Sequence, residues 1–312
     1  MADIVNQVLP ILILLGVGVW IRRARFISPA TVDDVRKLIV NLALPSVLFI
    51  AFLDVELKRS DSLIVVATFA ICVVLLLVGR ALRPRFGGNH EYFPMLMTGF
   101  EAGMLGIGLF GTTYGLDNIG AFALVDLGHE LFIWFVFLAV LLAMRDGRQE
   151  PGRLFRAFVA SPVVIAIIAG LVGNFTGIGA DLRQWVVTGG AINAIELLAG
   201  LTGPLILLVV GHGIHLDTGH IREAVVPIAA RFAVALVLAI VLPPLLIGEL
   251  LEGGPLQQAA LFTLLILPPP FIIPLYMREG DEAERRYVNN VLSLYTLLSI
   301  AAFIIYVTVN PL

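Results

Sequence analysis

Long apolar runs follow one another along almost the whole of this chain, most of them reaching the roughly 18 residues that a helix needs to cross a bilayer. Hydrophobic residues make up 59% of the 312 and charged residues only 14%, whereas a soluble domain carries about 25% charged residues. We place ten spans, at 4–21, 35–53, 63–82, 93–113, 119–144, 157–178, 190–214, 224–248, 257–277 and 288–309. The sequence therefore predicts an all-α integral membrane protein, embedded in the lipid bilayer, with short connections and no separate soluble domain.

Positive charge is distributed unevenly between the loops that join these spans. When the loops are numbered by the span they follow, the odd loops carry most of the 20 Lys and Arg residues. Lys58, Arg59 and Arg183 lie on the other side, and Arg231 lies inside the eighth span. Loops rich in Lys and Arg tend to stay in the cytoplasm. We therefore expect a multi-pass protein of the cell (inner or plasma) membrane, with cytoplasmic odd loops and both termini extracytoplasmic.

Glycine and proline interrupt the spans at matching places in the two halves of the chain. The matching pairs are Pro10 with Pro162 in spans 1 and 6, Pro45 with Pro204 in spans 2 and 7, and the span 4 glycines with the span 9 prolines. Because five is odd, two five-span halves have opposite orientation. We expect inverted repeats at 1–144 and 157–312, with helices 4 and 9 broken and crossing. Matched interruptions are typical of a transporter's binding site, although Gly and Pro in membrane helices can also serve only packing or kinks.

The interruption in span 9 consists of three consecutive prolines, Pro268, Pro269 and Pro270. They remove three amide donors and block the carbonyls one turn earlier, so a regular helix cannot pass through them. The freed backbone groups must face protein or a wet cavity, because they cannot be left unsatisfied in lipid. The glycines of span 4 allow another backbone to approach closely. A crossing of spans 4 and 9 at their breaks would therefore form a preformed site for a small ion.

Three segments resemble signatures of the auxin efflux carrier family, which includes plant PIN proteins and bacterial organic-acid permeases. They are Asn41–Phe49 (NLALPSVLF) in span 2, Glu101–Gly115 (EAGMLGIGLFGTTYG) in span 4 and Leu267–Gly280 (LPPPFIIPLYMREG) in span 9. The resemblance extends over nearly the whole chain in order and spacing. It implies a fold like that of bile-acid symporters and sodium/proton antiporters, in which spans 1, 2, 6 and 7 form a scaffold that often dimerises. Spans 3–5 and 8–10 would then form a transport domain that moves as an elevator.

Within that resemblance, Asn41 and Pro45 belong to the scaffold signature, and Pro204 is the matching residue of span 7. The chain departs from the family at two positions. Glu101 stands where the family usually has Asn, and Gly108 stands where it has Pro. Asn is a neutral donor suited to a carboxylate, whereas an ionised Glu would repel one. The departures argue against auxin recognition of the plant type and favour coupling to a proton or another cation.

Ionisable side chains inside the spans are candidates for function, because a charge at the middle of the bilayer costs about 2.5–3.5 kcal/mol on insertion scales. Glu101 can act as a proton carrier, or it can be a protonated side chain bonded to the broken backbone. Asp126, His129 and Glu130 are spaced i, i+3 and i+4 and share one helical face. We expect that face to point towards span 4 or span 10, where the cluster could hold a proton, coordinate a cation, orient substrate, or be only interfacial. Arg231 needs a partner, either a substrate carboxylate or an acid from another span.

The candidate residues for binding substrate or ions are Glu101, Gly103, Gly106, Gly108, Asp126, His129, Glu130, Arg231, Pro268, Pro269, Pro270 and Thr296. Thr296 and its neighbour Tyr295 would add hydroxyl groups to the lining, whereas His212, His215 and Glu196 are interpreted as interfacial. One His with two acids lacks the spacing of a dedicated metal site, so no metal is expected. No basic patch suggests nucleic acid as a partner, and no nucleotide or nucleophile motif occurs.

The leading hypothesis is a secondary transporter, a permease or efflux carrier, of a small organic anion such as an auxin-like molecule or a mono- or dicarboxylate. It would work by elevator-type alternating access with a proton as coupling ion, without a cofactor, as a homodimer through the scaffold. Two alternatives stay open: a sodium-coupled organic-anion symporter, and a membrane sensor of the same fold that does not transport. An enzyme is not expected, because no acid pair or His/Cys arrangement has the spacing for one.

Overall fold

The computed structural model of the protein describes residues 2–55, 58, 61–146, 151–214, 221–278 and 281–312. These residues form helices and loops without a strand, which confirms the predicted all-α class. The α-helical segments are α1 (Ala2–Arg23), α2 (Pro29–Leu38), α3 (Leu44–Asp54), α4 (Asp61–Leu82), α5 (Phe93–Leu96), α6 (Ile107–Tyr114), α7 (Ile119–Phe132), α8 (Leu138–Asp146), α9 (Pro151–Val159), α10 (Pro162–Phe175), α11 (Ile178–Gln184), α12 (Val186–Gly200), α13 (Thr202–Gly213), α14 (Ile221–Leu242), α15 (Pro255–Ile266) and α16 (Glu282–Val309).

Short helical turns of other types extend or join these segments. The π-helical stretches are Ile39–Ala43, Arg83–Gly87, Ala102–Gly106, Ile133–Phe137 and Pro243–Leu250, and the 3₁₀ turns are Leu116–Asn118 and Ile273–Tyr276. As a result, α2 continues through a π turn into α3, and α7 continues in the same way into α8. Each of these pairs therefore acts as one long helix.

Among the described residues, seven continuous helices are long and apolar enough to cross a membrane. They are Asn6–Arg23, Pro29–Asp54, Asp61–Gly87, Leu116–Asp146, Val186–Gly213, Glu223–Leu250 and Glu282–Val309. Two shorter apolar helices, α10 and α15, accompany them. The chain therefore has the helices of a multi-pass membrane protein. The predicted number of ten spans is not confirmed by helix length and stays a prediction.

The spans expected at 93–113, 157–178 and 257–277 are the ones that do not form a continuous long helix. In the second of them, Ser161 adopts an extended conformation directly before Pro162, where α10 begins. A residue before proline is pushed out of the helical region by the proline ring. The 14 residues of α10 reach about 21 Å at 1.5 Å per residue, less than the roughly 30 Å of a hydrocarbon core.

The chain divides into two units, each formed from residues of both halves of the sequence. Unit 1 comprises Met1–Lys58, Gly103–Ala123 and Arg156–Gly213, and unit 2 comprises Arg59–Ala102, Leu124–Phe155 and Ile214–Leu312. The predicted spans 1, 2, 6 and 7 fall in unit 1, together with the second part of span 4. Most of spans 3, 5, 8, 9 and 10 falls in unit 2. The division into a scaffold and a transport domain stays a prediction, as do the inverted repeats.

In unit 1, α1 packs against α13 at a point where both helices carry glycine. A Cβ atom at Gly18 would overlap the carbonyl oxygen of Leu208, and one at Gly211 would overlap that of Leu15. The two backbones are therefore in direct contact. Small residues allow this close approach, which is a common basis of helix association in membranes.

A second pair in unit 1, α10 and α3, packs in a similar way. A Cβ atom at Gly170 would lie 2.6 Å from the carbonyl oxygen of Phe49. At the end of α3, the side-chain amide of Asn174 donates hydrogen bonds to the carbonyls of Leu53 and Val55, at 2.9 and 2.8 Å. These are carbonyls that the end of a helix leaves without a partner in the helix. Asn174 therefore closes the end of α3.

In unit 2, α14 packs against both α15 and α16, and α4 packs against α5. Gly128 of α7 lies so close to α4 that a Cβ atom there would overlap the carbonyl oxygen of Val65. The short helix α5 packs against α4 and α14, and the short helix α15 packs against α14 and α16. The interrupted fourth and ninth spans therefore end inside a packed group of long helices.

The glycine contact between α1 and α13 gives a test of the packing. We expect Gly18→Ala to lower the thermal unfolding midpoint of the detergent-purified protein, because a methyl group there forces the helices apart at a cost of about 1–3 kcal/mol. Gly16→Ala is the matched control, since no atom of the described residues lies within 4 Å of its added Cβ and both changes gain the same helix propensity. Equal midpoints for the two variants would contradict the close α1–α13 contact.

Candidate functional site

The fourth span is interrupted between α5 and the π turn that begins at Ala102. α5 ends at Leu96, and the following backbone to Glu101 is not helical. Gly99 lies in this stretch with a φ of +67°, a conformation that side chains with a Cβ rarely adopt. A Cβ atom on Gly99 would also lie 2.8 Å from the ring of Pro270. Glycine is therefore required here both by the conformation and by the contact.

The ninth span is interrupted directly after α15. Leu267, at the end of that helix, has an extended backbone with φ −63° and ψ 153°. Pro268, Pro269 and Pro270 follow, and all three are buried. The prolines have no amide hydrogen to continue the helix, as the sequence predicts. The chain resumes only as the short 3₁₀ turn Ile273–Tyr276.

The two interruptions contact each other within unit 2. The backbone amide of Glu101 donates a hydrogen bond to the carbonyl of Pro268 at 2.9 Å. In return, the backbone amide of Phe271 donates to the Glu101 carboxylate at 2.6 Å. The Glu101 side chain is only 8% exposed. We call residues 96–101 and 266–271, with the side chains that bond to them, the junction.

Arg231 of α14 connects both interruptions. Its Nη1 donates to the carbonyl of Leu96 at 2.9 Å, and its Nη2 donates to the carbonyls of Gly99 and Leu267 at 2.6 and 3.2 Å. The side chain is 2% exposed. Its guanidinium lies over the rings of Phe100 and Tyr295, 5.2 Å from each centroid. Of the two partners expected for Arg231, an acidic side chain is not found among the described residues; backbone carbonyls take its place.

His129 and Asp126 lie at the fourth-span interruption, and the carboxylate of Glu130 accepts a hydrogen bond from Nε1 of Trp134 at 3.1 Å. The backbone amide of Phe100 donates to Nε2 of His129 at 2.9 Å, and Nδ1 of His129 lies 2.8 Å from the Asp126 carboxylate. Since Nε2 accepts a hydrogen bond, the ring proton must be on Nδ1, which donates to Asp126. The imidazole is then neutral and both nitrogens are occupied.

The same cluster has the spacing of a possible metal site. Ligand atoms of Asp126, His129 and Glu130 all lie within 4.8 Å of one another. However, a metal needs a free lone pair on the imidazole, and both nitrogens of His129 are in hydrogen bonds with Phe100 and Asp126. The arrangement suits a hydrogen-bond relay from the backbone of the junction to a buried carboxylate better than it suits a metal ion.

Two hydroxyl groups that the sequence analysis did not single out also bond near the interruptions. Thr98 donates to the carbonyl of Cys72 at 2.6 Å, and Ser299 of α16 donates to the carbonyl of Ile266 at 2.6 Å. Both side chains are fully buried. A hydroxyl in an apolar run is the only sequence signal they give, and such groups often bond within their own helix. The Phe100 and Phe271 amides were missed because a backbone donor leaves no mark in the sequence.

Several predicted residues are not part of the junction. Gly103, Gly106 and Gly108 belong to unit 1, where a Cβ at Gly108 would lie 2.7 Å from Ile206. Thr296 donates to Leu292 in its own helix and does not contribute a free hydroxyl.

The scaffold-signature residues also belong to unit 1. Asn41 is exposed and donates to the carbonyl of Lys37, while Pro45 and Pro204 lie in the first turns of α3 and α13. His215 and the last two residues of the ninth-span motif, 279 and 280, lie outside the described residues.

No model of a known protein family matches this chain, and no curated protein is significantly similar to it.

The contact between Gly99 and Pro270 gives a second test. We expect Gly99→Ala to destabilise the protein by more than the roughly 1–2 kcal/mol of a strained left-handed residue, because its Cβ would also collide with the proline ring. Gly177→Ala is the control: Gly177 has a φ of +73°, and none of the described part of the chain lies within 4 Å of its added Cβ. Thermal unfolding of Gly177→Ala measures the effect of backbone strain alone, and that of Gly99→Ala measures strain together with the collision against Pro270. A midpoint for Gly99→Ala no lower than that of the control would contradict the contact between the two interruptions.

Proposed function

We propose that this protein is a secondary transporter of a small organic anion, with the junction as its binding site. The observation that supports this most strongly is the meeting of two interrupted helices at Glu101, Pro268 and Phe271 inside a chain otherwise made of apolar helices. Interrupted helices inside a membrane protein occur where backbone groups are buried in protein or line a cavity. In secondary transporters such interruptions form the substrate and ion sites.

The charge at the junction supports an anion as the substrate. Arg231 is buried and makes no ion pair with any described residue. Its Nε is buried and has no hydrogen-bond partner among the described residues. A buried N–H donor without an acceptor carries a desolvation cost that a bound carboxylate could remove. A mono- or dicarboxylate, or an auxin-like acid, has this chemistry.

The packing in unit 1 supports two inverted five-span repeats. α1 from the first half packs against α13 from the second half, and α10 from the second half packs against α3 from the first. Predicted span 1 thus packs against the second part of span 7, and predicted span 6 packs against the second part of span 2. If the two halves are related by a two-fold axis, each contact from the first half to the second must have an equivalent contact from the second half to the first, as these two helix pairs do. On this basis we propose ten spans, with α5–α6 and α15 with its following turn as the crossing spans 4 and 9.

A proton is the proposed coupling ion. Glu101 lies in the junction and accepts a hydrogen bond from Phe271, while the Phe100–His129–Asp126 relay reaches the same interruption. Buried carboxyl and imidazole groups are the usual proton carriers of membrane transporters. Sodium is the alternative, because carbonyls at helix ends also suit a cation.

We further propose elevator-type movement, dimerisation through the scaffold, and extracytoplasmic termini in the cell membrane. The proposed position of the termini rests on the distribution of Lys and Arg.

Uptake into proteoliposomes tests the proposed function. We expect the purified protein to give saturable uptake of labelled malate or indole-3-acetate in response to an inward proton gradient, because both probes carry a carboxylate. Empty liposomes are the control. Binding of a probe without uptake or counterflow would favour the sensor of the same fold, and uptake driven only by sodium would favour the symporter. Neither binding nor uptake of carboxylates would contradict the proposal.

Glu101 gives a sharper test of proton coupling. In Glu101→Gln the side chain can still accept the Phe271 hydrogen bond, but it cannot release a proton. We therefore expect binding of the probe to persist while the pH dependence of uptake is lost. Glu249→Gln is the matched control, since Glu249 is exposed. Proton-driven uptake that is unchanged in Glu101→Gln would end the role of Glu101 as proton carrier.

A further inference from the structure

The two interruptions place several backbone carbonyls at one point in unit 2. Leu96 is the last residue of α5, Leu267 follows the last turn of α15, and Gly99 lies between α5 and Glu101. The last carbonyls of a helix have no partner within the helix and carry the negative end of its dipole. Oxygens in this position bind cations, and in broken-helix transporters they coordinate the coupling ion.

In this protein the carbonyls of Leu96, Gly99 and Leu267 accept hydrogen bonds from one guanidinium. The distances from Arg231, between 2.6 and 3.2 Å, are those of direct hydrogen bonds. Because arginine stays charged under all physiological conditions, a positive charge is permanently present among these oxygens. It is delivered by α14, which packs against α15.

The positive charge is balanced by dipoles and not by a carboxylate. Arg231 forms no ion pair with a described residue, and its guanidinium also lies over the faces of Phe100 and Tyr295. An aromatic face attracts a cation through its quadrupole. Carbonyl oxygens and ring faces are also the groups that surround a bound inorganic cation. The guanidinium differs from such a cation in being covalently attached to the chain. A second cation at contact distance would be repelled by the guanidinium.

We propose that Arg231 is a resident cation that takes the place of a coupling sodium ion at the junction. The carbonyls of both interruptions are then neutralised in every state of the protein, and the field that would attract an organic anion does not depend on sodium. The inference has two consequences: the wild-type protein neither needs nor binds sodium at the junction, and removal of the guanidinium turns the junction into a cation site. The inference rests on the proposed function only where it predicts that transport does not depend on sodium.

Thermal unfolding of the purified protein in sodium chloride or choline chloride, at equal concentration, tests the inference without any transport. Wild type should have the same midpoint in both salts. In Arg231→Ala the three carbonyls lose their donor, and we expect sodium to raise the midpoint by about 2–4 °C or more over choline. Arg231→Lys keeps a cation at the end of the side chain and should be insensitive to sodium. Arg80→Ala, an exposed arginine of α4, is the control for the loss of one positive charge.

Two results would overturn the inference: stabilisation of wild type by sodium, or an Arg231→Ala protein equally stable, or equally unfolded, in the two salts. Recovery of folded Arg231→Ala in sodium alone would support it. Malate uptake by wild-type proteoliposomes provides the second readout, and its rate should be unchanged when choline replaces sodium. If no uptake of malate is found in either salt, the proposed function fails while the unfolding measurement still decides the role of Arg231.

Discussion

The buried guanidinium of Arg231 holds together the part of the molecule on which the proposed site depends. Two helices stop at the junction, and their last carbonyls need donors that water cannot supply in a membrane protein. Arg231 donates to carbonyls of both interruptions at once. Ser299, Thr98 and the exchanged bonds between Glu101 and residues 268 and 271 complete the arrangement. Without these donors the interrupted helices would carry unsatisfied polar groups in an apolar core.

Sequence reasoning could predict the all-α class and the positions of the breaks, because proline and glycine act locally on the backbone. Pro268–Pro270 cannot continue a helix wherever they are placed, and the chain leaves the helix at Leu267. The face shared by Asp126 and His129 also follows from helical spacing and points to the fourth-span interruption. Long-range pairing was harder to predict, since nothing in the sequence indicates which carbonyl a buried arginine reaches.

The division of the fourth span between two units has a similar cause. Glu101 and Gly103 are two residues apart, yet Glu101 bonds to residues 268 and 271 in unit 2 while Gly103 faces Leu44 in unit 1. A run of glycines predicts close approach but not the partner that approaches. Thr296 shows that a predicted lining residue can fail to line a site, because a hydroxyl that faces the core can still bond to a carbonyl of its own helix. The local chemistry was predictable, whereas its assignment to neighbours required the packed structure.

We propose that the junction of the two interrupted helices binds a carboxylate. A density map of the protein in lipid nanodiscs, with malate or indole-3-acetate added and without it, tests this claim most directly. We expect additional density within hydrogen-bond distance of Nε of Arg231 in the sample with the added carboxylate. Density for a bound carboxylate at another place, with the junction unchanged, would contradict it.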